Sequence, residues 1–350
     1  MISKKKILIA PLDWGLGHAA RCVPIIQDLQ KDHEIILAGA GRLKSFLTQA
    51  FPKLQFIDFE GYNISYPDKG SMAVKMMLQM PKVLARIREE HKELQTLIKQ
   101  YQIDLVISDN RFGLYSDLVP CIYISHQIHI QAPGMLEDQL FKLHSKYINR
   151  FSQCWIPDHE GTPNLAGELS HGNLLKNCIH IGPLSRLKKV ASEKTYDYCT
   201  LIPGPEPQRT RFEELIVNAF SNRAETLLVL SGKPEVKSTS ENHNITIISH
   251  LDDEEMSKAL CASSIVISRP GYSSIMDLAA LEANCIFIPT PGQTEQKYLA
   301  EYHLKENGIP FLKQKEISSE NIKRLTPNSI NMENHQISYL NLINDAWFSL

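Results

Sequence analysis

Nowhere in the 350 residues is there an uncharged apolar run approaching the roughly 18 residues that a bilayer-spanning helix needs. Paired cysteine motifs are missing too. The seven cysteines are odd in number and none are in C-x-x-C spacing. They read as reduced thiols of a cytosolic protein, not as a disulfide framework or a structural zinc site. No surplus of charge exists: the formal net charge is -2 and the isoelectric point is near 6.7. That argues against a nucleic-acid binder, whose basic surface would show in the total. No Asp-x-Asp pair offers a divalent-metal clamp. The opening Met-Ile-Ser-Lys-Lys-Lys leads into an apolar stretch too short for a signal peptide. The expectation is a cytoplasmic protein, either soluble or held peripherally at the inner face of a membrane.

What the chain does have is an alternation of two periodicities. With 43% hydrophobic residues, it can fill two cores of ordinary size. Short apolar runs of β type at 7–10, 34–38, 54–59, 105–108, 121–125 and 154–157 are separated by longer helical stretches. This rhythm predicts a parallel sheet covered on both faces. Residues 179–181 read as the last strand of that series, followed by a lysine-rich linker. A second series follows at 198–202, 226–230, 245–248, 265–267 and 285–289. The predicted fold is α/β: two Rossmann-like, doubly wound parallel-sheet domains over 1–190 and 191–335, with a docking helix at 336–350. Ligands of such sheets sit beyond the carboxyl ends of the strands, so two facing domains would make an interdomain cleft.

One motif in each half carries chemistry. In the first, a strand runs into Asp13-Trp14-Gly15-Leu16-Gly17-His18-Ala19-Ala20-Arg21. Gly15 and Gly17 allow a tight turn and close approach of a ligand. The helix start behind them offers N–H groups and a positive dipole end, a place for an anion. His18 on the rim is a candidate base, with a core or capping histidine as the alternative. Asp13 either orients His18 or caps an Asx turn.

In the second half, Ser268-Arg269-Pro270-Gly271-Tyr272-Ser273-Ser274-Ile275-Met276-Asp277 follows a strand. Gly271 can take the turn, and Ser273 and Ser274 bring hydroxyls to the helix start, where a diphosphate would fit. Asp277, one turn on, can accept ribose hydroxyls. Plain serine capping with a solvated Asp277 is the alternative. After the next strand, Glu295 and Gln296 in a polar loop entering a helix either read sugar hydroxyls or serve as surface capping groups.

Over roughly 227–308 the chain resembles the C-terminal domain of GT-B glycosyltransferases, closest to the peptidoglycan N-acetylglucosaminyltransferase that forms lipid II. In that family an Arg-x-Gly-x-x-(Ser/Thr)-x-x-(Glu/Asp) helix start holds the UDP diphosphate and ribose. Arg269, Gly271, Ser274 and Asp277 match it, with Asp where the lipid II enzyme has Glu. Gln296 matches the family's glutamine on the donor sugar, and Lys297 replaces a second glutamine, which leaves the sugar open. Gly15, Gly17 and His18 match a glycine-rich loop that ends, in the lipid II enzyme and the diacylglycerol glycosyltransferases, in a histidine close to the reacting centre. Extended to Arg21, this Gly-x-Gly-His-x-x-Arg motif is also similar to the UDP-sugar hydrolase of pseudaminic acid synthesis.

The resemblance implies an inverting, metal-independent transfer of a sugar from a UDP-sugar, with UDP-N-acetylglucosamine a candidate, to a glycan or lipid-linked acceptor, without a cofactor. Helix-end N–H groups, serines and arginine then stabilise the leaving UDP, and His18 takes the acceptor's proton. The donor belongs to the second domain and the acceptor to the first. Hydrolysis of a nucleotide sugar and non-catalytic binding of one are the rival readings.

Weaker candidates sit at other strand ends. His126 and Gln127, and Asp109 in Ser108-Asp109-Asn110-Arg111, are candidate acceptor contacts or plain loop and capping residues. The loop Pro203-Gly204-Pro205-Glu206-Pro207-Gln208-Arg209 suits diphosphate or acceptor contact or is a rigid connection, and Ser231-Gly232 after the next strand is a similar case, a candidate for the nucleotide-sugar. Met76, Met77 and Met80, with Lys75, Lys82, Arg86 and Arg88, suit a lipid tail and an anionic membrane surface, or form a sheet-covering helix broken near Pro81.

Overall fold

The computed structural model describes residues 4–62, 64, 72–131, 136–330, 339 and 342. The chain divides into two units that part between Leu184 and Ser185. The docking helix expected at 336–350 lies, Tyr339 and Leu342 apart, outside the described residues.

The first unit is built on β1 (Lys6–Pro11), β2 (Glu34–Gly39), β3 (Gln55–Asp58), β4 (Leu105–Asp109), β5 (Cys121–Ile124), β6 (Gln153–Ile156) and β7 (Cys178–His180). They form a seven-stranded sheet in the order β3-β2-β1-β4-β5-β6-β7, with every pairing parallel. Helices cover it on both faces, which is why Ile7, Leu8 and Ile9, and Leu105, Val106 and Ile107, are buried whichever way they point. The strand order reverses between β1 and β4, where Pro11 pairs with Asp109. In open α/β sheets the loops leaving such a point diverge and open a crevice, the usual ligand position.

The helices of this unit are α1 (Leu16–Leu29), α2 (Gly41–Ala50), α3 (Met72–Tyr101) and α4 (Leu136–Ile148). Contrary to expectation, α3 runs through Pro81 without a break. Pro81 is exposed on this helix. A buried ion pair locks this helix down: Arg111 Nη2 lies 2.7 Å from Glu90 Oε1. Arg111 also donates to the carbonyls of Phe59 and Glu60 and lies over the Phe59 ring, which pins the loop that follows β3.

The second unit carries β8 (Tyr196–Leu201), β9 (Leu227–Leu230), β10 (Thr239–Asn242), β11 (Ile245–Ile248), β12 (Ser263–Ser268) and β13 (Cys285–Phe287), in the order β10-β11-β9-β8-β12-β13. β10 is antiparallel to β11 and was not anticipated. Its sequence Thr-Ser-Glu-Asn is exposed throughout and carries no apolar alternation to announce it. The helices are α5 (Gln208–Phe220), α6 (Asp253–Cys261), α7 (Tyr272–Ala280), α8 (Thr294–Asn307) and α9 (Ser319–Lys323). Phe212, Ile216 and Phe220 of α5 pack on Leu227, Val229, Ile267 and Ile286 to form the core. The order reverses again between β8 and β12, and α7 leaves from that second switch point. Each run expected as a strand forms one, its ends shifted by no more than a residue or two. Among the described residues no helix is long and apolar enough to cross a membrane.

Candidate active site

At the switch point of the first unit four side chains form one hydrogen-bonded group. His18, on the first turn of α1, places Nδ1 2.7 Å from Asp109 Oδ1, at the end of β4. Arg21, one turn further along α1, donates through Nε and Nη2 to the two oxygens of the same carboxylate. Its Nη1 lies 3.0 Å from Nδ1 of His126, just beyond β5. The glycine turn sets this up: Gly15 precedes α1 at φ 155°, a conformation that L side chains rarely adopt, and aims the helix at the ends of β4 and β5.

The protons follow from the partners. Two groups meet His18 Nδ1, the Asp109 carboxylate at 2.7 Å, which only accepts, and Arg21 Nη2 at 2.9 Å, which only donates; Nη2 is already committed to Asp109 Oδ1, so the Nδ1 hydrogen goes to the nearer carboxylate. The proton-free nitrogen is then Nε2, which makes no hydrogen bond among the described residues, while the side chain keeps 17% exposure. Burial first, and then the adjacent Arg21 charge, lower the His18 pKa, against the opposing pull of Asp109. Burial alone would raise the Asp109 carboxyl, but Arg21 and His18 outweigh it and hold it at about 2. A neutral imidazole, steered by a permanent carboxylate and with one nitrogen open, is suited to accept a proton.

Two expectations change here. Asp109 is fully buried and spent on His18 and Arg21, so it is not an acceptor contact. Asp13 does not orient His18, whose Nδ1 already has its carboxylate; Asp13 packs on Gly61, and its Oδ1 is buried with no donor. His126, 6% exposed, joins the group through Arg21. Gln127 stays half-buried, with its backbone N–H on Ser125 Oγ. Arg21 belonged to the sequence motif but had no role there; its spacing of three from His18 puts both on one face of a helix.

In the second unit, Gly271 is the N-cap of α7, with Ser273 and Ser274 at its second and third helical positions. Gly271 has φ −76°, which any residue can adopt, so no strained turn requires glycine. A Cβ there would meet nothing within 4 Å, so the missing side chain keeps the helix start open.

Arg269 is a further correction, because it does not face that opening. It is 2% exposed, its guanidinium lies 4.0 Å over the Phe212 ring, and it donates to the Ile288 carbonyl and Gln314 Oε1. Burial lowers its pKa to about 9, so the charge persists at neutral pH but is spent on the interior. Asp277 accepts from Ser185 Oγ at 2.6 Å, and burial raises its pKa against the pull of Arg186 and Ser185.

At the end of β9 the carbonyls of Ser231 and Gly232 accept from Arg209, which also grips Glu206. Arg209 thus makes the loop before α5 a rigid connection, and Ser231 is 2% exposed. Glu295 lies half-buried in the first turn of α8. Gln296 Oε1 accepts from the Thr290 N–H at 2.8 Å, so the carbonyl half of its amide closes the loop after β13. Among the described residues no cluster of three or more His, Cys, Asp or Glu is arranged to hold a metal ion. The side chains of Lys75, Met76 and Met77 lie outside the described residues.

With this geometry in view, the similarities to known proteins are consistent. Residues 211–338 match the glycosyltransferase family 28 C-terminal domain, and residues 5–154 match glycosyl transferase family 1. A UDP-N-acetylglucosamine--N-acetylmuramyl-(pentapeptide) pyrophosphoryl-undecaprenol N-acetylglucosamine transferase of Flavobacterium psychrophilum is 35% identical over 281 residues, 77% of this chain and 75% of the relative. The transferase of the same name from Histophilus somni is 24% identical over 343 residues, 94% of this chain and 90% of its own. In fold, the kitacinnamycin glycotransferase superposes with a TM-score of 0.63 at 12% identity, covering 92% of this chain and 90% of that one. MurG of Acinetobacter baumannii superposes with a TM-score of 0.50 at 10% identity, covering 99% and 93%. These likenesses establish a GT-B glycosyltransferase architecture.

Proposed function

Because this chain belongs to the family of UDP-N-acetylglucosamine--N-acetylmuramyl-(pentapeptide) pyrophosphoryl-undecaprenol N-acetylglucosamine transferases, we propose that it transfers N-acetylglucosamine from UDP to a lipid-linked acceptor of that class. The observation that carries the reading is the His18–Asp109 pair with its bare Nε2. An acceptor hydroxyl attacks the anomeric carbon and gives its proton to His18 Nε2. The bond from that carbon to the UDP oxygen breaks, and UDP leaves with the electron pair. The N-terminal turn of α7, opened by Gly271 and lined by Ser273 and Ser274, receives the developing negative charge. Asp277 takes the ribose hydroxyls, and Gln296 with Glu295 reads the sugar.

The same reading puts the protein on the cytoplasmic side, in peripheral contact with the membrane that holds its acceptor. Leu78, 77% exposed near the exposed Lys82 on α3, supports that contact.

The test is an assay of the full chain with UDP-N-acetylglucosamine and N-acetylmuramyl-pentapeptide pyrophosphoryl-undecaprenol. One UDP should appear per disaccharide formed, and His18→Ala should lower kcat by about 10²–10⁴-fold while donor affinity stays constant. Release of free N-acetylglucosamine at the same rate without acceptor, or a fully active His18→Ala, would overturn the assignment.

A further inference from the structure

A carboxylate beside a histidine has two effects that conflict in a base. It fixes the ring's tautomer, and it also favours the imidazolium, which cannot accept a proton. In this protein the carboxylate is itself clamped by a cation. Arg21 is 2% exposed, binds both Asp109 oxygens, and has Nη2 2.9 Å from His18 Nδ1. Its guanidinium can only donate, so the His126 Nδ1 that it meets at 3.0 Å must accept, which leaves the His126 proton on Nε2. The two histidines are therefore held in opposite tautomers, His18 by Asp109 and His126 by the Arg21 that clamps Asp109.

We propose that Arg21 is a positioning residue of the transfer reaction: it lets Asp109 steer His18 without charging it, and it locks His126 as the Nε2–H tautomer. Among the described residues the groups facing this cluster are Arg21 and Cys22 on α1, Asp109 on β4, Tyr123 on β5 and His126 beyond it. Burial holds Cys22 and Tyr123 neutral, so Arg21 supplies the one positive charge that offsets Asp109. The lowered pKa of His18 agrees, since Arg21 is the largest charge acting on it in that direction.

This inference rests on His18 being the base, and the test separates the two. In ¹⁵N-histidine spectra of the full chain, the His18 signal is identified by its loss in His18→Ala and titrated with pH. In Arg21→Met the His18 titration should move up by about one pH unit, and the acid limb of kcat/KM should move with it, a roughly tenfold loss of rate below the limb. Arg21→Lys keeps the charge but loses the fork. It should leave the His18 titration near that of the wild type while the His126 signal changes to a tautomer mixture. An unshifted His18 in folded Arg21→Met overturns the proposal. If that variant does not fold, a His126 signal unchanged in Arg21→Lys does so. A His18→Ala enzyme of full activity sinks the base assignment instead, whatever Arg21 does.

Discussion

Asp109 and Arg269 illustrate how far burial decides what a charged side chain can do. Asp109 is held ionised by two donors inside the protein, and its removal leaves Arg21 buried without a counter-charge. Breaking such a pair from one side typically costs about 3–5 kcal/mol. Asp109→Asn should therefore lower the urea midpoint by an amount of that order at constant m-value, and kcat should fall as well because His18 loses its guide. Arg269 predicts the reverse pattern for a residue that the motif assigns to the donor. Since its guanidinium is spent on Phe212, Ile288 and Gln314, Arg269→Lys should cost about 1–3 kcal/mol of stability while the donor KM of the folded enzyme changes less than about threefold. A large rise in KM at unchanged stability would show that the charge reaches the diphosphate after all.

At the scale of elements, two glycines separate packing from ligand approach. Gly113 lies against α3, where a Cβ would come within 2.5 Å of both Glu90 Cβ and the Ile87 carbonyl oxygen. Backbone cannot yield as a flexible side chain does, so Gly113→Ala should destabilise by about 1–3 kcal/mol, read as a lower thermal midpoint. Gly271→Ala should behave differently. Its φ suits any residue and the space is open, so the folding cost should stay within about 1 kcal/mol, while the added methyl at the start of α7 should raise the donor KM. Equal donor KM values for the variant and the wild type would remove α7 from the donor site.

For the molecule as a whole, acid should act unequally on the two units. Burial lowers the pKa of His18, His33, His129, His144 and His180, all in the first unit, and of His250 in the second. A histidine with a lowered folded pKa binds its proton more readily when unfolded, so its contribution to stability is present above its ordinary pKa and is lost as pH falls through the folded one. Glu90, raised by burial, opposes this in the first unit, as Asp277 does in the second. Between pH 7 and 5 amide exchange should therefore speed up more in β1–β7 than in β8–β13, and equal acceleration would contradict the imbalance.

Much of this architecture was legible in the chain. The apolar runs marked every strand except β10, whose polar residues earn their place only by pairing with β11 at the edge. The helix starts after Gly15 and at Gly271 were visible because glycine followed by helix-forming residues leaves a local signature. The partners of those residues were not. By itself the sequence determined two doubly wound sheets and the two helix starts that follow β1 and β12, one at each switch point, since periodicity and turns are properties of neighbouring residues. Only the tertiary structure decided that Asp109, 91 positions from His18, is its carboxylate and that Arg269 turns inward. Such contacts exist only once the strand order has set β4 beside β1 and α5 against β12, and no local pattern along the chain records which distant side chains then meet.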